Sequence, residues 1–136
     1  MKRRDFQELA TIGFNEAKVL LQGHRWEGAY YLGGYAAECA IKACIAKLAE
    51  RHDFPDKERT EGSYTHKLMT LIKTAGLDAE LRRAELEPEF AENWRIVRNW
   101  SEQSRYQRRT QSEAVALVNA LRDRRYGVLR WLKHHW

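Results

Sequence analysis

A run of small side chains decides how this chain can pack. Ala29, Gly33, Ala36, Cys39, Ala40, Ala43, Ala46 and Ala49 recur at helical spacing between about Arg25 and Arg51. A helix lined this way presents little bulk, so a neighbouring helix approaches its backbone closely. Gly33 and Gly34 stand side by side in mid-helix, and each costs about 1 kcal/mol of helix propensity relative to alanine. Close packing or a kink at that point must offset the cost. Tyr31, Tyr35, Glu38 and Lys42 form a second stripe at steps of four, three and four. Glu38 and Lys42 have the favourable order for an ion pair one turn apart, and the two tyrosines in line with them predict a groove or interface.

Other segments also read as helices. Phe6, Leu9, Ala10, Gly13, Phe14, Ala17, Leu20 and Leu21 follow a 3.6-residue period, predicting a helix from about Asp5 to Leu21 closed by Gly23-His24. His52 to Thr65 is rich in Asp, Pro, Lys, Glu, Gly and Ser and reads as a loop. A short helix then starts with Thr65 as its expected N-cap and stops at Gly76. Pro88 is placed to open a helix that buries Phe90, Trp94, Val97 and Trp100. Ser101 to Thr110 reads as loop, and a last helix is expected from about Gln111 to His134. No stretch alternates with a period of two. The expectation is a single all-α domain over residues 1–136, an antiparallel up-and-down bundle of four long helices plus a short one.

The remaining bounds are brief. Cys39 and Cys44 lie five apart on one helix, point to different sides, and read as small buried residues kept reduced. No apolar run approaches a membrane span and no segment reads as a signal peptide, so the expected location is the cytoplasm with no membrane partner. Phosphate-loop, dinucleotide and zinc-ligand spacings are absent, so the pattern implies no metal and no cofactor. The terminal His134-His135 pair reads as a frayed basic tail.

Charge is unevenly placed. The chain carries +5 overall, yet from Arg95 to Trp136 there are ten Lys and Arg against three Asp and Glu. A basic surface of that kind attracts polyanions, and nucleic acid is the commonest. Its candidate site is the run Arg98-Asn99-Trp100-Ser101-Glu102-Gln103-Ser104-Arg105-Tyr106. Arg98 is expected at the edge of the core, where a guanidinium needs a carboxylate such as Glu38 or a ligand phosphate. Trp100 and Tyr106 offer faces for base stacking. Arg95, Trp100, Arg108 and Arg109 are candidate nucleic-acid contacts, and Tyr35, Glu38, Lys42 and His66 candidate supports of the cleft.

The block from Trp26 to Ala43, the Thr65-His66-Lys67-Leu68 helix entry and the Trp100-Ser101 and Arg105-Tyr106 elements resemble HEPN-domain proteins over nearly the whole chain. The resemblance implies a helical bundle, commonly a homodimer, found with nucleotidyltransferase partners in toxin–antitoxin and defence systems. Many members are metal-independent endoribonucleases whose site is an arginine, four to six residues and a histidine. In one subgroup a tyrosine two residues beyond the histidine receives the transferred nucleotide. On this sequence Arg98 matches the arginine and Asn99 its polar neighbour. Tyr106 matches the tyrosine if Ser104 takes the histidine position. Serine cannot replace imidazole as an acid–base group near neutral pH. Arg59 with His66 and Arg130 with His135 satisfy the bare spacing outside the family's position. Three functions follow as expectations: an RNA-directed binding module partnered with a nucleotidyltransferase; a divergent ribonuclease using Arg98, Arg105 and Tyr106, with help from His66 or Glu38; or a non-catalytic structural dimer.

Overall fold

The computed structural model describes residues 1–51 and 62–136, and every regular element among them is helical. Two long helices, α1 (Arg3–Gln22) and α2 (Trp26–Glu50), form an antiparallel hairpin. Gly13 lies against Leu32 and Ala36, Leu20 against Gly28, and Arg3 pairs with Glu50 at the open end. The hairpin turn is a Schellman motif. Arg25 N–H donates to the Leu20 carbonyl at 2.8 Å and His24 N–H to Leu21 at 3.1 Å. The left-handed residue is His24 (φ 60°), one position after the expected glycine, and its ring stacks on Trp26.

After α2 come α3 (Leu68–Thr74), α4 (Asp78–Ala84), α5 (Pro88–Arg98), a 3₁₀ helix (Glu102–Tyr106), α6 (Gln111–Arg122) and α7 (Val128–Lys133). The predicted loop from His52 lies outside the described residues as far as 61, and so does Arg59. Thr65 does not cap α3. Lys67 holds the N-cap position, and the Thr65 hydroxyl accepts from the Lys67 N–H two residues on. Gly76, at φ 70°, ends α3 in the left-handed region as expected. Pro88 opens α5, which buries Phe90, Trp94 and Val97.

Three further expectations need correcting. The four long helices reduce to two of 20 and 25 residues, with α5 and α6 at 11 and 12. The long last helix is broken after Arg122. Asp123 turns extended, and its carboxylate takes the Arg125 and Tyr126 N–H groups at 3.0 and 2.7 Å. Those donors are then satisfied outside any helix. Gly127 completes the turn, since a Cβ there would collide with the Asp123 carbonyl. The C-terminal residues are also not frayed. Arg3 donates to the Trp136 carbonyl at 2.7 Å, and His135 packs edge-on against Trp131.

α2 is the hub. Helix α1 covers one side, α6 and α7 another, and α3 and the 3₁₀ helix the rest. Its Ala29, Ala36, Ala37, Ala40 and Ala43 are wholly buried, because neighbouring elements pack against most of its circumference. The small-residue face is therefore used inside this one chain. Gly33 admits Leu117 and Leu121 of α6. Gly34 admits the Trp100 indole, which lies where a Cβ on residue 34 would sit. Neither glycine breaks the helix, so close packing is what offsets their cost.

Two substitutions separate those terms. Gly34→Ala gains about 1 kcal/mol of helix propensity but must displace Trp100, and it lowers unfolding free energy by about 2–3 kcal/mol. Gly13→Ala adds a methyl at ordinary contact distances of 3.6 Å or more and raises stability by about 0.5–1 kcal/mol. Urea denaturation reads both; a Gly34→Ala protein as stable as the parent would contradict this packing.

Candidate functional site

The second stripe of α2 faces the segment that leaves α5. Trp100 drops onto Gly34 and is 3% exposed, with its ring 6.0 Å from that of Tyr31. Tyr31 in turn stacks with Tyr35 at 6.5 Å. The faces of Trp100 are thus taken by the protein rather than open to a base. Its buried Nε1 finds no acceptor among the described residues. With the indole seated, the 3₁₀ helix lies across the stripe and sends its side chains in different directions.

Glu102 points to His66. Nδ1 of His66 lies 3.0 and 3.1 Å from the two carboxylate oxygens of Glu38, and Nε2 lies 3.3 Å from Glu102. A protonated ring donates to both carboxylates, a neutral one to a single carboxylate. The Glu38 side chain is only 3% exposed, and Lys42 donates to its second oxygen at 3.1 Å. The Lys42 ammonium and the His66 ring, both set against one buried carboxylate, offset the desolvation of its charge. An imidazole held by a buried carboxylate is an arrangement suited to proton transfer.

Ser104 points inward. It is 1% exposed and its hydroxyl accepts from Arg109 Nη2 at 3.3 Å. Arg109 lies 4.1 Å over the Tyr30 ring and also bonds Gln107 and Glu113. Glu113 is shared, because it forms a reciprocal capping box with Thr110 at the start of α6. The Thr110 N–H bond and the Arg109 guanidinium hold the Glu113 carboxyl below its ordinary range. Arg109 therefore ties the 3₁₀ helix to α2 and α6, a structural post rather than a free nucleic-acid contact.

Arg105 and Tyr106 point outward. Arg105 donates to the Tyr31 hydroxyl at 3.0 Å and lies 5.4 Å over that ring. Tyr106 is 76% exposed. Arg98 is exposed, not set at the core edge, and Glu38 is committed to Lys42 and His66 rather than to it. Among the described residues Arg98 makes no ion pair. Asn99, also exposed, closes α5 as its C-cap. Arg95 forms a two-pronged pair with Glu92 at 2.9 and 2.7 Å, and Arg108 reaches Glu27 at 3.1 Å. Both pairs lie in solvent, where such contacts contribute little and a phosphate can replace the carboxylate.

The candidate cleft supports Tyr35, Glu38, Lys42 and His66 are brought together, and the structure adds Glu102 and the Tyr31–Arg105 contact to them. Their only sequence signal is the run Glu102 to Arg105 inside a segment read as loop. No family model matches the chain, and no curated protein or solved structure matches it. Chemistry here rests on the residues alone.

Burial on α2 favours the protonated form of three weak acids, Tyr35, Cys39 and Cys44. Burial pushes the Cys39 thiol up to about 11 and the Cys44 thiol up to about 12, from 9.0. Burial, then the hydrogen bond with Cys39, pushes the Tyr35 phenol up to about 12 from 10.0. Acids whose folded pKa lies above the unfolded value stabilise fully below the unfolded value and lose that contribution as pH rises through the folded one. The melting temperature should therefore fall as pH climbs from about 9 to about 12. A Cys39→Ala/Cys44→Ala protein should show a shallower fall; curves of equal slope would contradict the assignment.

Proposed function

We propose that this chain is a HEPN-like module directed at RNA, working with a nucleotidyltransferase in a toxin–antitoxin or defence setting, and that its own site binds without efficient cleavage. The observation that carries the reading is the division of labour in the 3₁₀ helix. Arg105 and Tyr106 face solvent, Arg98 is exposed and makes no ion pair among the described residues, and Ser104, the residue nearest the family's histidine position by the resemblance, is buried under Arg109. Guanidinium groups beside tyrosine rings hold phosphates and stack bases. Nothing at position 104 can take up a proton near neutral pH.

A homodimer would form through apolar surface that the fold leaves open, Ile12 and Val19 of α1, rather than through the small residues of α2. The nucleotidyltransferase is implied by the family resemblance, with Tyr106 exposed where a modified tyrosine would have to be reached.

A second reading, a divergent metal-independent ribonuclease, is favoured by one contact. His66 is partly exposed and is oriented by the buried Glu38, which supplies an imidazole from a different element. The two readings part in one experiment. Single-stranded RNA binding followed by anisotropy should weaken by about tenfold in Arg98→Ala/Arg105→Ala, with a shallower salt dependence. Total RNA should stay intact without metal. Cleavage that is lost in both Arg98→Ala and His66→Ala would replace the first reading by the second; unchanged affinity would remove both.

A further inference from the structure

One imidazole joins three parts of the fold. His66 stands in the segment that enters α3. Its Nδ1 lies 3.0 and 3.1 Å from the two oxygens of Glu38 on α2, and its Nε2 lies 3.3 Å from Glu102 at the start of the 3₁₀ helix. The two carboxylates differ in surroundings: the Glu38 side chain is 3% exposed and the Glu102 side chain 50%. Other polar groups near the ring have roles of their own. From α2, Lys42 shares the Glu38 carboxylate, and burial keeps the Tyr35 phenol, one turn earlier, in its protonated form. From the 3₁₀ helix, Arg105 turns to the Tyr31 hydroxyl. Lys67, next to His66 in the chain, is exposed.

With the ring charged, two carboxylates meet two cations, and an imidazolium has one N–H for each carboxylate. A neutral ring has a single N–H. Glu38 keeps it, because a buried carboxylate loses more than an exposed one when a donor is withdrawn. The bare Nε2 then faces a Glu102 oxygen at 3.3 Å, acceptor against acceptor. Glu102 is exposed enough to turn to water at little cost. Imidazole is the side chain whose charge ordinarily changes between about pH 5 and pH 8. The bond between His66 and the 3₁₀ helix is therefore the one that a proton controls.

We propose that His66 is a proton-operated clasp: charged, it ties Glu102 of the 3₁₀ helix to Glu38 of α2, and neutral, it keeps Glu38 and releases Glu102. The element it holds is small enough to respond. The 3₁₀ helix has five residues, and its N–H bonds from Ser104 to Ser101 and from Gln107 to Ser104 measure 3.0 and 3.3 Å. Such short helices have little stability of their own. Trp100 in front and the Ser104–Arg109 bond behind stay in place, so release loosens the element without detaching it. Arg105 and Tyr106 follow three and four residues after Glu102 on the same helix. The clasp thus governs how firmly these exposed side chains are presented, whatever ligand the face takes.

Nuclear magnetic resonance of the full chain from about pH 5 to pH 8 tests the clasp. The carbon-bound ring protons of His66 report its charge. Exchange protection of the Ser104 and Gln107 amides, corrected for the intrinsic pH dependence of exchange, reports how firmly the 3₁₀ helix is held. Protection should fall by about threefold or more as the ring loses its proton, along the same curve. Glu102→Gln, at an exposed position, supplies an amide that donates to a bare Nε2 and accepts from a protonated one. In that variant the ring should still titrate while protection stays level. His66→Gln should show no fall either. A ring of constant charge across this range, level protection in the parent while the ring titrates, or an undiminished fall in either variant would overturn the proposal.

Discussion

The Trp100 indole occupies the space that any side chain on residue 34 would need. Much of the site depends on that seat. It brings the chain leaving α5 down onto α2, where a 3₁₀ helix of five residues can lie across the Tyr31–Tyr35–Glu38–Lys42 stripe. From there each side chain has one direction: Glu102 to His66, Ser104 to Arg109, Arg105 to Tyr31, Tyr106 to solvent. Two adjacent glycines lower helix propensity, and the packing of Trp100 on one and α6 leucines on the other offsets that loss.

Electrostatics then divides the surface. Glu38, buried, collects Lys42 and His66 and fixes the relation of α2 to the start of α3. Arg109 is held between a tyrosine ring and the α6 capping box, so its charge serves the fold. Arg98 and Arg105 face solvent and form no ion pair among the described residues. A second group of cations without an ion pair among the described residues lies at the far end of α6. The net basic third is thus divided between two places on the surface.

What could be read from the sequence was whatever periodicity controls. The small-residue helix, the apolar stripe of α1, the Pro88 start and the Gly76 stop all follow from spacing or from single-residue conformational preference. The break after Arg122 did not, because Asp123 and Gly127 act together across a turn while the apolar period resumes at Val128. Arg98 lies exposed rather than at the edge of the core, because one step around the helix from buried Val97 turns its side chain by about 100°. The meeting of His66 with Glu38, 28 residues apart, and of Arg105 with Tyr31, 74 apart, are tertiary events with no local signature. Which arginines hold the fold and which are free depends on those contacts.

The proposed function puts RNA on the face around the 3₁₀ helix. Amide chemical shifts of the full chain during titration with a short single-stranded RNA lacking terminal phosphates test it most directly. Shifts should concentrate at residues 98–108 and at Tyr31 and Tyr35, with little change from 122 to 134. Shifts confined to residues 122–134, or none at saturating RNA, would contradict it.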